Sequence, residues 1–166
     1  LLGNAVLCLL DHPDQLARLR ANPGLLPAAI EETLRYESPV QGITRVTTAD
    51  VKIGGQTVPA GSPVIAFIGS ANRDEAVFPD PDHFDVARAP NPHLAFGAGI
   101  HFCLGAPLAR LESQVALQIL FERIHDIQLA DAQGVQYTKG FLHGVTHLPL
   151  RFAILRPDVY PPKRAG

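Results

Sequence analysis

Ten consecutive residues hold the densest chemistry in the chain: Phe96-Gly97-Ala98-Gly99-Ile100-His101-Phe102-Cys103-Leu104-Gly105. Gly97 and Gly99 open backbone conformations closed to other residues and let a flat partner approach closely. Cys103 stands at the start of a predicted helix. Free amide N–H groups and the helix dipole favour an anion there, so the thiol pKa should fall. A thiolate at that point can serve as a nucleophile or a metal ligand. Gly105 leaves room beside the sulfur, and Phe96 and Phe102 offer apolar cover against water.

Residue types alone leave more than one chemistry open. A dinucleotide phosphate loop fails: Gly97-Ala98-Gly99 matches its first half, but position 102 is Phe and the preceding stretch is proline-rich. Zinc could take His101 and Cys103, yet the other cysteine, Cys8, lies in an apolar helix and no ligand pair has finger spacing. A catalytic cysteine needs a partner histidine that the sequence does not place. A buried structural cysteine is the remaining option.

The elements that must position this loop follow from periodicity and breakers. Residues 1–10 read as the end of an apolar helix, stopped before Asp11-His12-Pro13-Asp14. Residues 15–22 carry a second helix, with Asp11 or His12 at its cap and Pro13 in its first turn. Pro27 opens a third that runs to Tyr36, with Leu26, Ile30 and Leu34 spaced by four, and Ser38-Pro39 ends it. Gly54-Gly55 between two short β-rich runs is a hairpin signal. Residues 64–68 predict a short buried strand. Residues 74–95, with Pro79, Pro81, Pro90 and Pro92, predict a long irregular segment. Residues 106–124 predict a helix, with Leu104, Leu108, Leu111, Val115 and Ile119 along one face. Residues 127–155 read as short strands around Gly140 and Gly144.

Composition narrows the function classes. The chain has 166 residues, 15 of them proline, no Met and no Trp, and begins Leu1-Leu2-Gly3. That length corresponds to about one domain. A net charge of −2 gives no basic excess to hold nucleic acid or an anionic membrane. The longest apolar run, residues 5–10, is too short to span a bilayer and lacks the flanks of a signal peptide. Two distant cysteines argue against a disulfide framework and favour a reducing, cytoplasmic setting.

The 96–105 pattern resembles the haem-binding loop of the cytochrome P-450 family: Phe-Gly, a second Gly two positions on, His, Cys two after it, then Gly. Glu32-Thr33-Leu34-Arg35 is similar to the family's Glu-x-x-Arg pair and lies at the right place before the loop. The resemblance, which runs from residue 1 to about 157, implies a mainly helical fold with small sheets and haem b (iron protoporphyrin IX) as cofactor. Cys103 would be the axial thiolate, with amide N–H groups after it tuning the sulfur. Arg45 and His101 would contact the haem propionates, with Phe96, Gly97 and Gly105 lining the cofactor. Glu32 and Arg35 would lock the segment before the loop, with Arg88 or His93 as third partner. Val40, Gln41, Gly42, Ile43, Phe141 and Leu142 would line the substrate pocket.

By the same resemblance the reaction inserts one atom of O2 into an apolar substrate and reduces the other to water. The electrons would come from a ferredoxin- or flavin-type donor docking near Cys103, with Arg110 as a contact for an acidic partner. A peroxide-using enzyme on the same fold, or a non-catalytic haem-binding fragment, are the rival readings. Residues 1–10 would end the long central helix, so that the acid–alcohol pair of that helix and the N-terminal half of one domain would precede Leu1. The 166 residues would then be its C-terminal part, without turnover of their own.

Overall fold

A computed structural model describes residues 1–154. The expected strand region 127–155 therefore ends one residue outside them, at Leu155, and so do the last residues of the family resemblance. Helix α1 (Leu2–Asp11) is followed at once by α2 (Pro13–Ala21). The residue between them, His12, is pushed out of the helical region by Pro13 (φ −125°, ψ 75°), and Pro13 opens the new helix where its missing N–H costs nothing. A short turn, Pro23–Leu25, leads into α3 (Leu26–Tyr36). The apolar faces of α1, α2 and α3 meet in one core through Ala5, Leu9, Leu16, Leu19, Ile30 and Leu34, joined by Leu117 from α5 (Ala106–Arg123).

Among the described residues the strands form four separate antiparallel pairs. β1 (Gly42–Val46) pairs with β4 (Pro63–Phe67), and β2 (Val51–Ile53) with β3 (Gln56–Val58). Gly54 and Gly55 close that second pair at φ +57° and +82°, the left-handed region that two-residue hairpins require. β5 (Ile124–Leu129) pairs with β8 (Leu150–Ile154), and β6 (Gln136–Tyr137) with β7 (Val145–His147). Among the described residues no helix is long and apolar enough to cross a membrane.

One expectation is corrected. The strand expected at 64–68 forms as Pro63–Phe67, but it is not buried: Ile65 and Phe67 are exposed, and Ile68 instead starts the short helix α4 (Ile68–Ala71). A lone pair of strands has no second layer to cover its outer face. Of the stripe, Leu108, Leu111, Val115 and Ile119 lie on α5 and Leu104 just ahead of it; all five are exposed, and α5 buries Ala106, Ser113 and Leu117. α5 is in contact with α3, and the two are tied by Arg110 and Glu31. The larger apolar stripe faces outward, a patch of the kind that another surface covers.

No helix or strand occupies residues 74–95, as their prolines predict, yet Phe78, Phe84 and Val86 there are at most 2 % exposed. Packing holds part of the segment: Phe84 meets the rings of His12 and Tyr36 at 5.1 and 5.4 Å. Charge holds the rest. Arg35, fully buried, gives Nε and Nη2 to the two oxygens of Glu32, both at 2.8 Å. Its remaining N–H groups reach the carbonyls of Asn72, Pro81 and His83 at 2.8–3.1 Å. Arg88 donates Nε to Glu32 Oε1 at 3.0 Å and serves the carbonyls of Pro79, Asp80 and His83.

Removing one partner from such a network leaves a buried charge without its counter-ion. Arg35→Met should cost about 3–5 kcal/mol of stability in denaturant unfolding. Arg88→Met, at a more solvated position, should cost about 1–3 kcal/mol.

Candidate functional site

The loop after the irregular segment is built on two turns. Gly97 N–H donates to Leu94 O at 2.8 Å, and Phe102 N–H donates to Gly99 O at 3.0 Å across the short turn Gly99–His101. Both glycines take positive φ, +74° and +65°, where a side chain would be strained. Cys103 N–H then donates to Phe96 O at 2.9 Å and closes the loop. Helix α5 begins at Ala106 with Gly105 as its cap, so Cys103 lies just ahead of the helix rather than inside its first turn. A Cβ on Gly105 would lie 3.8 Å from the sulfur, ordinary contact, so sterics toward Sγ alone do not demand glycine there.

Cys103 faces a cleft of about 290 Å³. The loop contributes Phe96, Gly97 and His101 to it, β1 contributes Ile43 and Arg45, and the end of α3 with the turn after it contributes Leu34, Pro39 and Val40. Arg45 and His101 make no ion pair among the described residues. The expected apolar cover over the sulfur is not in place: Phe102 is half exposed, meeting Phe96 edge-on at 6.4 Å, and Cys103 is exposed. Cys8 is the opposite case, since burial pushes its thiol well above the usual range.

Four residues expected in a substrate pocket do not line this cleft. Gln41 turns its amide to Ser38 O at 2.7 Å, and Gly42 is a strand residue with the Phe141 ring against it. Phe141 and Leu142 stand beside them, tied by Gln41 N–H to Phe141 O at 2.7 Å and by a Val40–Leu142 bridge. A glutamine amide finds a backbone carbonyl nearer than an apolar wall, which turns it aside.

The choice between Arg88 and His93 comes out by geometry. Arg88 reaches Glu32, whereas His93 Nε2 meets the neighbouring Glu31 at 3.0 Å. Arg110, expected to meet an acidic partner, is instead bound to Glu31 by two bonds of 2.7 and 2.8 Å. Sequence reasoning missed Glu31, Asn72 and Asn91. Asn72, fully buried, bridges Ser38 Oγ and Leu94 N–H at 2.7 Å each, and Asn91 donates to Glu32 at 3.1 Å. A buried asparagine has no periodicity to reveal it, but the doubled acid Glu31-Glu32 was a visible signal.

Comparison with known proteins fits this geometry. Residues 5–138 match the model of the family described as Cytochrome P-450. The chain is 53 % identical over 131 residues to the biotin biosynthesis cytochrome P-450 of Bacillus subtilis, covering 79 % of this chain and 33 % of that one. It is 48 % identical over 153 residues to the 6-deoxyerythronolide B hydroxylase of Saccharopolyspora erythraea, covering 91 % and 38 %. Among solved structures it superposes on P450BioI, crystallised in complex with a hexadec-9Z-enoic acid ligated acyl carrier protein, with TM-score 0.88 and 47 % identity over 92 % of this chain and 40 % of that one. Substrate-free CYP109E1 from Bacillus megaterium gives TM-score 0.90 at 39 % identity, over 93 % and 40 %. The chain belongs to the cytochrome P-450 family and carries the C-terminal portion of its fold. It spans about a third of the length of the curated relatives it matches.

The family implies a haem-iron cofactor, and the residues present fit it. The cleft offers one exposed thiol, a glycine-lined approach for a flat group, apolar walls, and an arginine and a histidine without a carboxylate partner among the described residues.

Behind the loop, burial alone would raise the Glu31 carboxyl, but the hydrogen bonds and charges of Arg110 and His93 outweigh it and hold its pKa at about 2, below the ordinary 4.5. A depressed carboxylate stabilises the fold above its unfolded pKa and loses that contribution as pH falls through the folded value. Glu31→Gln should therefore cost about 1–2 kcal/mol at pH 7, discounted for solvent screening. The difference from the parent should shrink as pH falls below about 4.5 and vanish near 2, in urea midpoints across that range.

Proposed function

We propose that this chain carries the cysteine-ligand side of a haem-thiolate monooxygenase acting on an apolar organic substrate. The observation that carries the reading is the placement of the Cys103 thiol in one cleft with Arg45, His101, Phe96 and Gly97. When bound, haem supplies oxygen activation, and a thiolate ligand to its iron favours O–O cleavage. Cys103 would hold the iron. Arg45 would take one propionate through its guanidinium fork, which suits a carboxylate, and His101 would take the other. Phe96, Gly97 and Gly105 would pack against the ring.

Val40 and Ile43 would give the substrate an apolar wall, with Phe141 and Leu142 supporting it from the adjacent hairpin. Gln41 and Gly42 would act through the backbone of that wall. One oxygen atom would enter the substrate and the other would leave as water, with two electrons from a ferredoxin- or flavin-type donor. A cytoplasmic setting belongs to this reading, since it keeps a ligand thiol reduced.

The test is the full-length chain, loaded with haem b, reduced and exposed to CO. The Soret band should show the red shift of a thiolate ligand and should lose it in Cys103→Ser. A histidine-like band in the parent, or an unchanged spectrum in the variant, would remove Cys103 from the role. The 166 residues alone should show no turnover, because they span only about a third of the length of the relatives they match. NADPH-dependent hydroxylation by them alone, with a donor system present, would contradict that.

A further inference from the structure

Glu31 joins three elements through one carboxylate. It sits on α3, holds Arg110 of α5 with two bonds of 2.7 and 2.8 Å, and meets His93, from the irregular segment, at 3.0 Å. The His93 side chain is 3 % exposed, and its Nδ1 accepts the Ala95 N–H at 3.2 Å. The Arg110 guanidinium lies over the ring of Phe96, 4.7 Å from its centroid. Phe96 lines the Cys103 cleft, and its carbonyl accepts the Cys103 N–H at 2.9 Å. Residues 95 and 96 are thus fixed twice, once through the backbone by His93 and once through the ring by Arg110.

We propose that Glu31 and Arg110 are positioning residues for the Cys103 ligand. They hold Phe96, and through it the Cys103 amide, and they place a mutually cancelling charge pair behind the ligand loop. This rests on Cys103 being the haem ligand, as proposed above. The two effects are separable. A guanidinium stacked on an aromatic face is attracted to it and restrains its tilt. The carboxylate fixes the plane of that guanidinium, which a single-point cation could not do. It also cancels the Arg110 charge, so a group held by Cys103 would meet a nearly neutral pair.

Removing one member of the pair leaves the other charge uncompensated. Glu31→Gln unmasks a cation, which favours the reduced iron. Arg110→Gln unmasks an anion, which favours the oxidised iron. The experiment uses the full-length haem-loaded protein and measures the reduction potential, with the CO spectrum as a second readout.

The potential should rise in Glu31→Gln and fall in Arg110→Gln. Each shift should be up to about tenfold in the reduction equilibrium, about 59 mV for a one-electron couple. It should return toward the parent in the double variant and stay at the parent value in Glu31→Asp, which keeps the charge. Arg110→Lys keeps the charge but loses the two-point hold on Glu31 and the guanidinium over Phe96, so it should hold the potential while weakening the thiolate-type CO band. Single variants that shift the potential in the same direction, or not at all, overturn the proposal while the parent's CO band still supports the ligand. A parent without a thiolate-type band overturns the ligand reading itself.

Discussion

The buried pair of Glu32 and Arg35 is the constraint on which the rest depends. All five guanidinium N–H groups of Arg35 have acceptors: two on Glu32 and three on the carbonyls of Asn72, Pro81 and His83. Glu32 is equally occupied, taking N–H groups from Arg35, Asp85, Arg88 and Asn91. Desolvating two charges is costly, and only a fully satisfied network offsets it. Such a network belongs here because the segment it holds cannot hold itself. Pro79 and Pro81 lack N–H groups and interrupt any ladder, so carbonyls around them would be orphaned in the interior. Arg35 and Arg88 supply donors to the carbonyls of Asn72, Pro79, Asp80, Pro81 and His83 in place of a helix or sheet.

The site is a consequence of that arrangement. The irregular segment delivers the chain to Leu94, whose N–H is held by Asn72 and whose carbonyl starts the first turn of the cysteine loop. From there Gly97 and Gly99 take conformations that other residues resist, and the chain folds back until Cys103 meets Phe96. Arg45 arrives from an unrelated strand, Gly42–Val46, fixed by its register opposite Val64. Thiol and guanidinium share one cleft because a charged helix holds the loop while a separate two-stranded sheet holds the arginine.

Local signals carried much of this in the sequence. Gly54-Gly55 specified its hairpin, Pro13 its helix start, and the spacing of the cysteine loop its turns. Directions across space were less legible. The Leu104–Ile119 stripe shares one face by periodicity, but periodicity does not say which face is covered, and the residues that α5 buries are Ala106, Ser113 and Leu117. Gln41 was placed by its position in the chain, which says nothing of its rotamer, and its amide turns to the Ser38 carbonyl. Arg88 and His93 were equivalent as candidates because both lie within one irregular stretch, where no period says which way a side chain points. The structure separates them onto adjacent carboxylates.

That adjacency is itself informative. Consecutive helical residues point about 100° apart, so Glu31 and Glu32 face different neighbours. Glu32 faces the irregular segment and is fully buried, so it needs two arginines and must be wholly satisfied. Glu31 faces α5 and His93, is partly solvated, and can hold a single guanidinium at lower cost. One carboxylate fixes the chain that leads into the cysteine loop, and the other fixes the helix that leads out of it. A loop without regular structure is thereby held at both ends by one helix, α3, whose own position is set by packing against α1. The thiol's location traces back to a pair of acids on one turn of helix, and moving either would displace one end of the loop relative to the other.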